Sequence, residues 1–503
     1  MKLPPVCNRL LALCVFAASA VYAQNAVQVA SYLFQGNFNS QRAASPPLTP
    51  VNPSGRNGFV TDTVFGQTRI VYDVQGSASP ISAEGGLTYQ AAGKAPRDNY
   101  SMEFVISMTG TGWRRVYDGN NRIGSEGLYV DPSGFINYYS GAGTVDPKGK
   151  LANGTYYHVV LVKNPGEIYV YVNGELVGSR TGGTPLGVMN NSSNPNQLVG
   201  IFLDDDGEWA PARIALFRAY SGALTANEIR QIYASPFTST VGVPPPGFQS
   251  SGIVNSASYS SAFAISPGGI FSIFGTDLAD DIADWGQSFV NGVAPKRLNN
   301  VRVLINDVEC FIIFTSPVQV NALAPDSVPA GAVTVVVENR GLRSAVVPTQ
   351  ARQINTSVFR FFPQDSRYLA STANDGSAYI APPNLFGTNG VLNGLAVRPA
   401  RPGEFIVLYG TALGPTNPAV PAGQIPTPRD GAYPLSNASE VRFLTAAGQT
   451  VATVTPAYSG LSGFPGLQQV VFQVPDVATG DYQVVVVVAG LASPGGTYLP
   501  VAR

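Results

Sequence analysis

Three groups of residues in this chain carry side chains that could do chemistry. The densest acidic run is Asp204-Asp205-Asp206, with Glu208 just beyond it. Adjacent carboxylates helped by backbone carbonyls can supply the several oxygens a calcium ion needs. This makes Asp204, Asp205 and Asp206 candidate calcium ligands, although Asp-Asp-Asp-Gly is also a good solvated turn. The second group is Trp113 with Arg115, Tyr117 and Asp118, in a loop expected after a strand over 101–108, together with Trp209. A sugar is held by an aromatic surface against its C–H face and by polar groups on its hydroxyls. These five residues are candidate ligand contacts if both segments lie on one rim; alternatively, the tryptophans plug the open ends of a β-sandwich. The third group is His158, the only histidine. It alternates within Tyr157-His158-Val159-Val160, the pattern of a packed strand residue.

Several chemistries are excluded by what accompanies these groups. One histidine, and one cysteine outside the N-terminal leader, cannot assemble a zinc site. No Gly-x-Ser-x-Gly elbow accompanies His158, and no phosphate-cradling motif is present. The reading is therefore non-enzymatic. The remaining cysteine, Cys310, sits in Glu309-Cys310-Phe311-Ile312-Ile313-Phe314 and reads as a buried strand thiol.

The first 23 residues resemble an export signal. Lys2 and Arg9 give a basic start, Leu10 to Ala20 an apolar stretch, and Val21-Tyr22-Ala23 a small-residue cleavage site. An extracellular or cell-surface location is expected. The apolar stretch is too short to span a membrane, and no later run is long enough. Of the 30 basic residues, Lys2 and Arg9 fall in the leader, leaving 28 against 31 acidic ones. There is no basic tract for nucleic acid.

The elements that must position these residues are strands. Charged residues are only 12%, while 54 Gly and 40 Pro punctuate short β-branched and aromatic runs, the composition of sandwiches. Residues 155–178 read as three strands joined by two tight turns, with Asn173-Gly174 the strongest hairpin signal. Thr225-Ala226-Asn227-Glu228 has the capping-box pattern of a helix start. Pro236 and Pro244-Pro245-Pro246 mark an extended, semi-rigid connector over 236–248.

Beyond the connector the chain repeats itself. Pro267-Gly268, Phe274-Gly275-Thr276 and Leu278 recur as Pro402-Gly403, Tyr409-Gly410-Thr411 and Leu413. Val301-Arg302 recurs as Val441-Arg442, Gln319-Val320 as Gln469-Val470, and Gly341-Leu342 as Gly490-Leu491. Each copy is a unit of the size of an immunoglobulin-like sandwich.

Two resemblances follow. Residues 249–503 resemble the paired Ig-like C-terminal domain of secreted acidobacterial proteins of the Solibacter type, on Gly252 to Ser258, Pro267 to Thr276, Ser316 to Ala322 and Arg401-Pro402-Gly403 with Val407 to Thr411. That family implies almost no function. Residues 24–235 resemble laminin-G-like, concanavalin A-like jelly-roll domains. The matching segments are Tyr32 to Asn37, Ser101 to Phe104, Asp131 to Phe135, Tyr157 to Val160, Tyr169 to Gly174 and Ala212 to Ile229. In that family the closing strand usually carries an acidic pair, often tied to calcium; here Ala215-Leu216 stands in its place. Related glucanases need two carboxylates on one strand face, and no Glu-x-Asp-x-x-Glu run is present.

The expected architecture is all-β: leader 1–23, a concanavalin-like jelly roll over 24–235, the connector 236–248, and tandem immunoglobulin-like sandwiches over 249–355 and 356–503. The expected function is recognition of an extracellular carbohydrate or protein ligand, with the repeats as spacers or surface-retention modules. The alternatives are a self-associating structural protein and a glycan-active hydrolase.

Overall fold

A computed structural model describes residues 26–42, 45–75, 85–94, 98–120, 122, 124–139, 146–181, 197–204, 207–208, 210–361, 367–387, 389–426 and 432–503. The leader and three candidate site residues, Asp205, Asp206 and Trp209, lie outside the described residues.

The chain is all-β, a jelly-roll sandwich followed by further β-sandwiches. The jelly roll comprises β1 (Val27–Tyr32), β2 (Thr49–Val51), β3 (Gly58–Val64), β4 (Gln67–Val74), β5 (Gly86–Gln90), β6 (Tyr100–Met108), β7 (Arg114–Asp118), β8 (Gly127–Val130), β9 (Ile136–Tyr139), β10 (Tyr157–Asn164), β11 (Glu167–Val172), β12 (Glu175–Thr181), β13 (Leu198–Ile201) and β14 (Ala212–Ser221). A helix, α1 (Ala226–Ala234), follows. An eight-stranded sheet runs β12-β11-β10-β6-β14-β4-β3, with β1 also on β14, and a six-stranded sheet runs β2-β5-β13-β7-β8-β9.

Local chemistry explains these elements. Val172 pairs with Glu175 across Asn173-Gly174, whose φ angles of 50° and 84° are the positive values a two-residue hairpin turn demands. Asn164 pairs with Glu167 across a second two-residue turn, Pro165-Gly166, in which only Gly166 takes a positive φ, 75°. Between the sheets, Tyr100, Met102, Phe104 and Ile106 of β6 pack with Tyr117, Leu128, Val130 and Ile136. The alternate β6 residues Ser101, Glu103, Val105 and Ser107 point away from this core and are nevertheless buried.

What covers that second face is α1 and the connector. Thr225 caps α1 in a complete capping box with Glu228. Ile229 and Ile232 of the helix pack on Val160, Val162 and Tyr171, each burial contributing roughly 1.5–3 kcal/mol. Phe237 and Val243 of the proline-rich connector are buried too, and Gln28 donates its backbone N–H to Gly242.

The remainder has two more cores, one within residues 253–351 and one within 358–501. Segments that repeat in sequence occupy corresponding places. Val301–Ile305 pairs with Gly331–Asn339 as Ser439–Leu444 pairs with Gly480–Val488. Ile270–Thr276 pairs with Gln319–Leu323 as Phe405–Thr411 pairs with Gln468–Gln473. Cys310 is fully buried in the first of these cores, where burial pushes its thiol pKa up. Among the described residues no helix is long and apolar enough to cross a membrane.

Candidate functional site

The second candidate group lies on a strand, not in a loop: residues 114–118 form β7 in the six-stranded sheet. A bulge between Arg115 and Tyr117 breaks the register with β8. Val116 and Tyr117 belong to the core, where the Tyr117 hydroxyl donates to that of Tyr100 at 2.9 Å. Arg115 pairs directly with Tyr129, so both share the sheet's outer face.

Arg115 is fully buried all the same. Its guanidinium meets the Asp204 carboxylate at 2.8 Å and that of Asp118 at 3.6 Å, and donates to the carbonyls of Gly124 and Glu126 at 2.8 and 3.0 Å. It also lies 5.0 Å from the centre of the Tyr129 ring. Gly127 is required beneath it, because a Cβ there would stand 3.0 Å from the Arg115 Nε and 2.5 Å from the Tyr117 carbonyl.

The acids it holds are equally committed. Asp118 accepts backbone N–H bonds from Asn120, at 2.6 Å, and from Arg122. Asp204 accepts from Tyr129 at 3.3 Å on one carboxylate oxygen and from the backbone of Glu208 at 2.9 Å on the other. Arg115 thus ties the loops after β7 and β13 to the sheet face. A buried guanidinium is tolerable only with this degree of pairing.

These contacts correct three expected ligand contacts and one metal ligand. Arg115, Tyr117 and Asp118 are removed from the surface and serve the scaffold, because a charged or phenolic group at a buried sheet position must find its partners within the protein. Asp204 does not fit a calcium ligand, since its oxygens are occupied by Arg115, Tyr129 and a backbone N–H. Among the described residues no three His, Cys, Asp or Glu side chains are grouped to hold a metal.

Trp113 is half-buried at the entry to β7 and does reach the outer face. There it meets two tyrosines that sequence reasoning missed. Its ring stands edge-to-face with Tyr129 at 5.8 Å and with Tyr139 at 6.3 Å, and the tyrosines contact each other at 6.4 Å. Tyr139, on the edge strand β9, is 47% exposed. Asn137, opposite Tyr129 on the same face, is partly exposed, and its amide has no hydrogen-bond partner among the described residues. Burial pushes the Tyr129 phenol pKa up, so the group stays a neutral hydroxyl. The surface is therefore an aromatic shelf with an open amide, above charges that are already paired. The signal for it was the Tyr138-Tyr139 ending of β9, beside Tyr129 on the preceding strand.

His158 lies under the opposite sheet, fully buried, with its Nε2 3.2 Å from Glu103 and its ring 5.7 Å from that of Tyr233 on α1. Arg218 and Tyr220 complete the shell around Glu103 at 3.2 and 2.6 Å.

Residues 82–230 match the family described as the Concanavalin A-like lectin/glucanases superfamily. No curated protein matches the chain. Among solved structures, domain 4 of AbnA, a GH43 extracellular arabinanase from Geobacillus stearothermophilus solved with arabinotriose, is 15% identical, covering 42% of this chain and 100% of that one with a TM-score of 0.31. A Trypanosoma rangeli sialidase in complex with sialic acid is 16% identical over 42% of this chain, with a TM-score of 0.29; this chain spans 33% of its length. The concanavalin A-like fold supports a carbohydrate-binding or related role.

Proposed function

We propose that this is a secreted or cell-surface recognition protein whose jelly roll binds a neutral glycan on the shelf formed by Trp113, Tyr129 and Tyr139. The observation that carries this reading is the aromatic triad, with Tyr139 47% exposed beside the open amide of Asn137. Aromatic edges and faces take the C–H surface of a pyranose, and the amide takes hydroxyls. Arg115 is buried between Asp118 and Asp204 below the shelf, so it offers no charge to an anionic ligand, which favours an uncharged one.

Binding without cleavage is part of the proposal. Glycoside hydrolysis needs one carboxylic acid kept protonated and a second carboxylate free to act. Asp204 instead accepts from Arg115 and from a backbone N–H, and Asp118, in ion-pair range of Arg115, accepts from two backbone N–H groups. The two C-terminal sandwiches, read as Ig-like repeats, act as spacers or surface-retention modules.

A glycan array probed with the mature chain (residues 24–503) tests the reading. Binding to neutral oligosaccharides that falls about tenfold or more in Tyr139→Ala supports it, a loss of about 1.4 kcal/mol. Absence of any neutral glycan among the ligands, or release of reducing sugar from them, overturns it.

A further inference from the structure

The opposite side of the jelly roll carries a pocket, and it is charged. The β3–β4 hairpin, the residues after β1 and the C-terminal end of α1 border an open pocket of about 540 Å³ lined by Gln35, Phe65, Gln67, Arg69, Tyr233 and Phe237. Such a volume suits a small organic ligand. Arg69 lies within it with its guanidinium carbon 3.7 Å over the Phe237 ring. Its Nε is buried without a hydrogen-bond partner, and no carboxylate among the described residues lies within ion-pair distance. The acid directly across the strand pair, Asp62, is bound elsewhere, to Arg213 at 2.8 Å and to the Tyr156 hydroxyl at 2.8 Å. Burial, and after it the like charge of Arg218, pull the Arg69 pKa below the usual arginine value.

The rest of the pocket suits a sugar ring. Phe65 is 40% exposed and sits at φ 49° in the hairpin turn, a conformation that a bulky residue adopts at a cost. A small turn residue there would be cheaper, so the strained position is explained if the ring is needed at this rim. Tyr233, 38% exposed, stands edge-to-face with Phe65 at 6.5 Å. The Gln67 amide makes no hydrogen bond among the described residues.

We propose that this pocket binds a carboxylate-bearing sugar, a uronic acid unit of an acidic polysaccharide, with its carboxylate on Arg69, its C–H face on Phe65 and Tyr233, and its hydroxyls on Gln35 and Gln67. A guanidinium pairs with a carboxylate through a planar fork. The site lies on the other sheet from Trp113 and stands independently of the neutral-glycan shelf.

Calorimetric titration of the mature chain with tetragalacturonate, its methyl ester and a peptide with a free C-terminal carboxylate tests the assignment. The acid binds saturably and more weakly as salt rises. The ester binds about tenfold or more weakly. Arg69→Gln loses the acid by a similar factor with an unchanged thermal midpoint, and Trp113→Ala retains it. Absence of saturable acid binding, equal affinity for acid and ester, or preference for the peptide overturns the proposal. If Arg69→Gln does not fold, the acid-to-ester ratio on the wild-type chain decides alone.

Discussion

At the residue scale, Arg115 shows why charged side chains are hard to place from sequence. Beside Trp113 it reads as a ligand contact, yet it is fully buried and held by Asp204, 89 positions away. That partnership comes from lateral strand order, which no local pattern encodes. Arg115→Met leaves two carboxylates buried without their cation, and urea unfolding should show a loss of about 3–5 kcal/mol. An unchanged midpoint would mean that Arg115 does not anchor the loops.

Glu103 gives the pH dependence on the opposite face. Burial alone would raise its pKa, but Arg218, then His158 and Tyr220, bring it below the ordinary carboxylate value. A carboxyl with a depressed folded pKa contributes stability that is complete above its unfolded value, about 4.3, and is lost as pH falls through the folded one. The thermal midpoint should therefore decline below about pH 4.3. The decline should be shallower in Glu103→Gln, which is also less stable at neutral pH because Arg218 loses its partner. Parallel acid limbs for the two proteins would contradict this assignment.

At the element scale, legibility follows the range of the interactions. The hairpins over 157–181 are encoded by two-residue turns, and α1 by a cap whose four residues are contiguous. Thr225→Ala should cost about 1 kcal/mol in chemical denaturation, and a loss near zero would show that packing alone holds the helix. The shelf was only partly legible. Trp113 was identifiable as an aromatic close to Arg115, Tyr117 and Asp118, but its meeting with Tyr129 and Tyr139 depends on β7, β8 and β9 being consecutive neighbours across a bulge. The Arg69 pocket was not legible, because Phe237 reaches β4 from the far side of the helix.

At the scale of the whole molecule, the internal duplication was readable because both copies keep the same strand-bearing motifs in order. How the jelly roll meets the first repeat was not. Arg42, buried, pairs with Asp277 at 3.1 Å and with Asp280, which also meets Arg340. Burial raises the Asp277 pKa, with Asp280 adding to the rise against the pull of Arg42. This cluster joins residues 235 positions apart in sequence, so it fixes the jelly roll relative to the sandwich that follows it. Arg42→Ala should uncouple them, seen as a larger radius of gyration in small-angle scattering and a separate melting transition for the jelly roll. A single unchanged transition and radius would show that the connector alone sets the arrangement.

Recognition of neutral glycans is proposed for the outer face of the six-stranded sheet. Hydroxyl-radical footprinting of the mature chain, with and without a saturating neutral oligosaccharide selected from the array, tests it most directly. Protection of Trp113 and Tyr139 is expected, with Trp285 and Phe464 in the C-terminal sandwiches unchanged. Unaltered oxidation of Trp113 and Tyr139 in the saturated complex would contradict it.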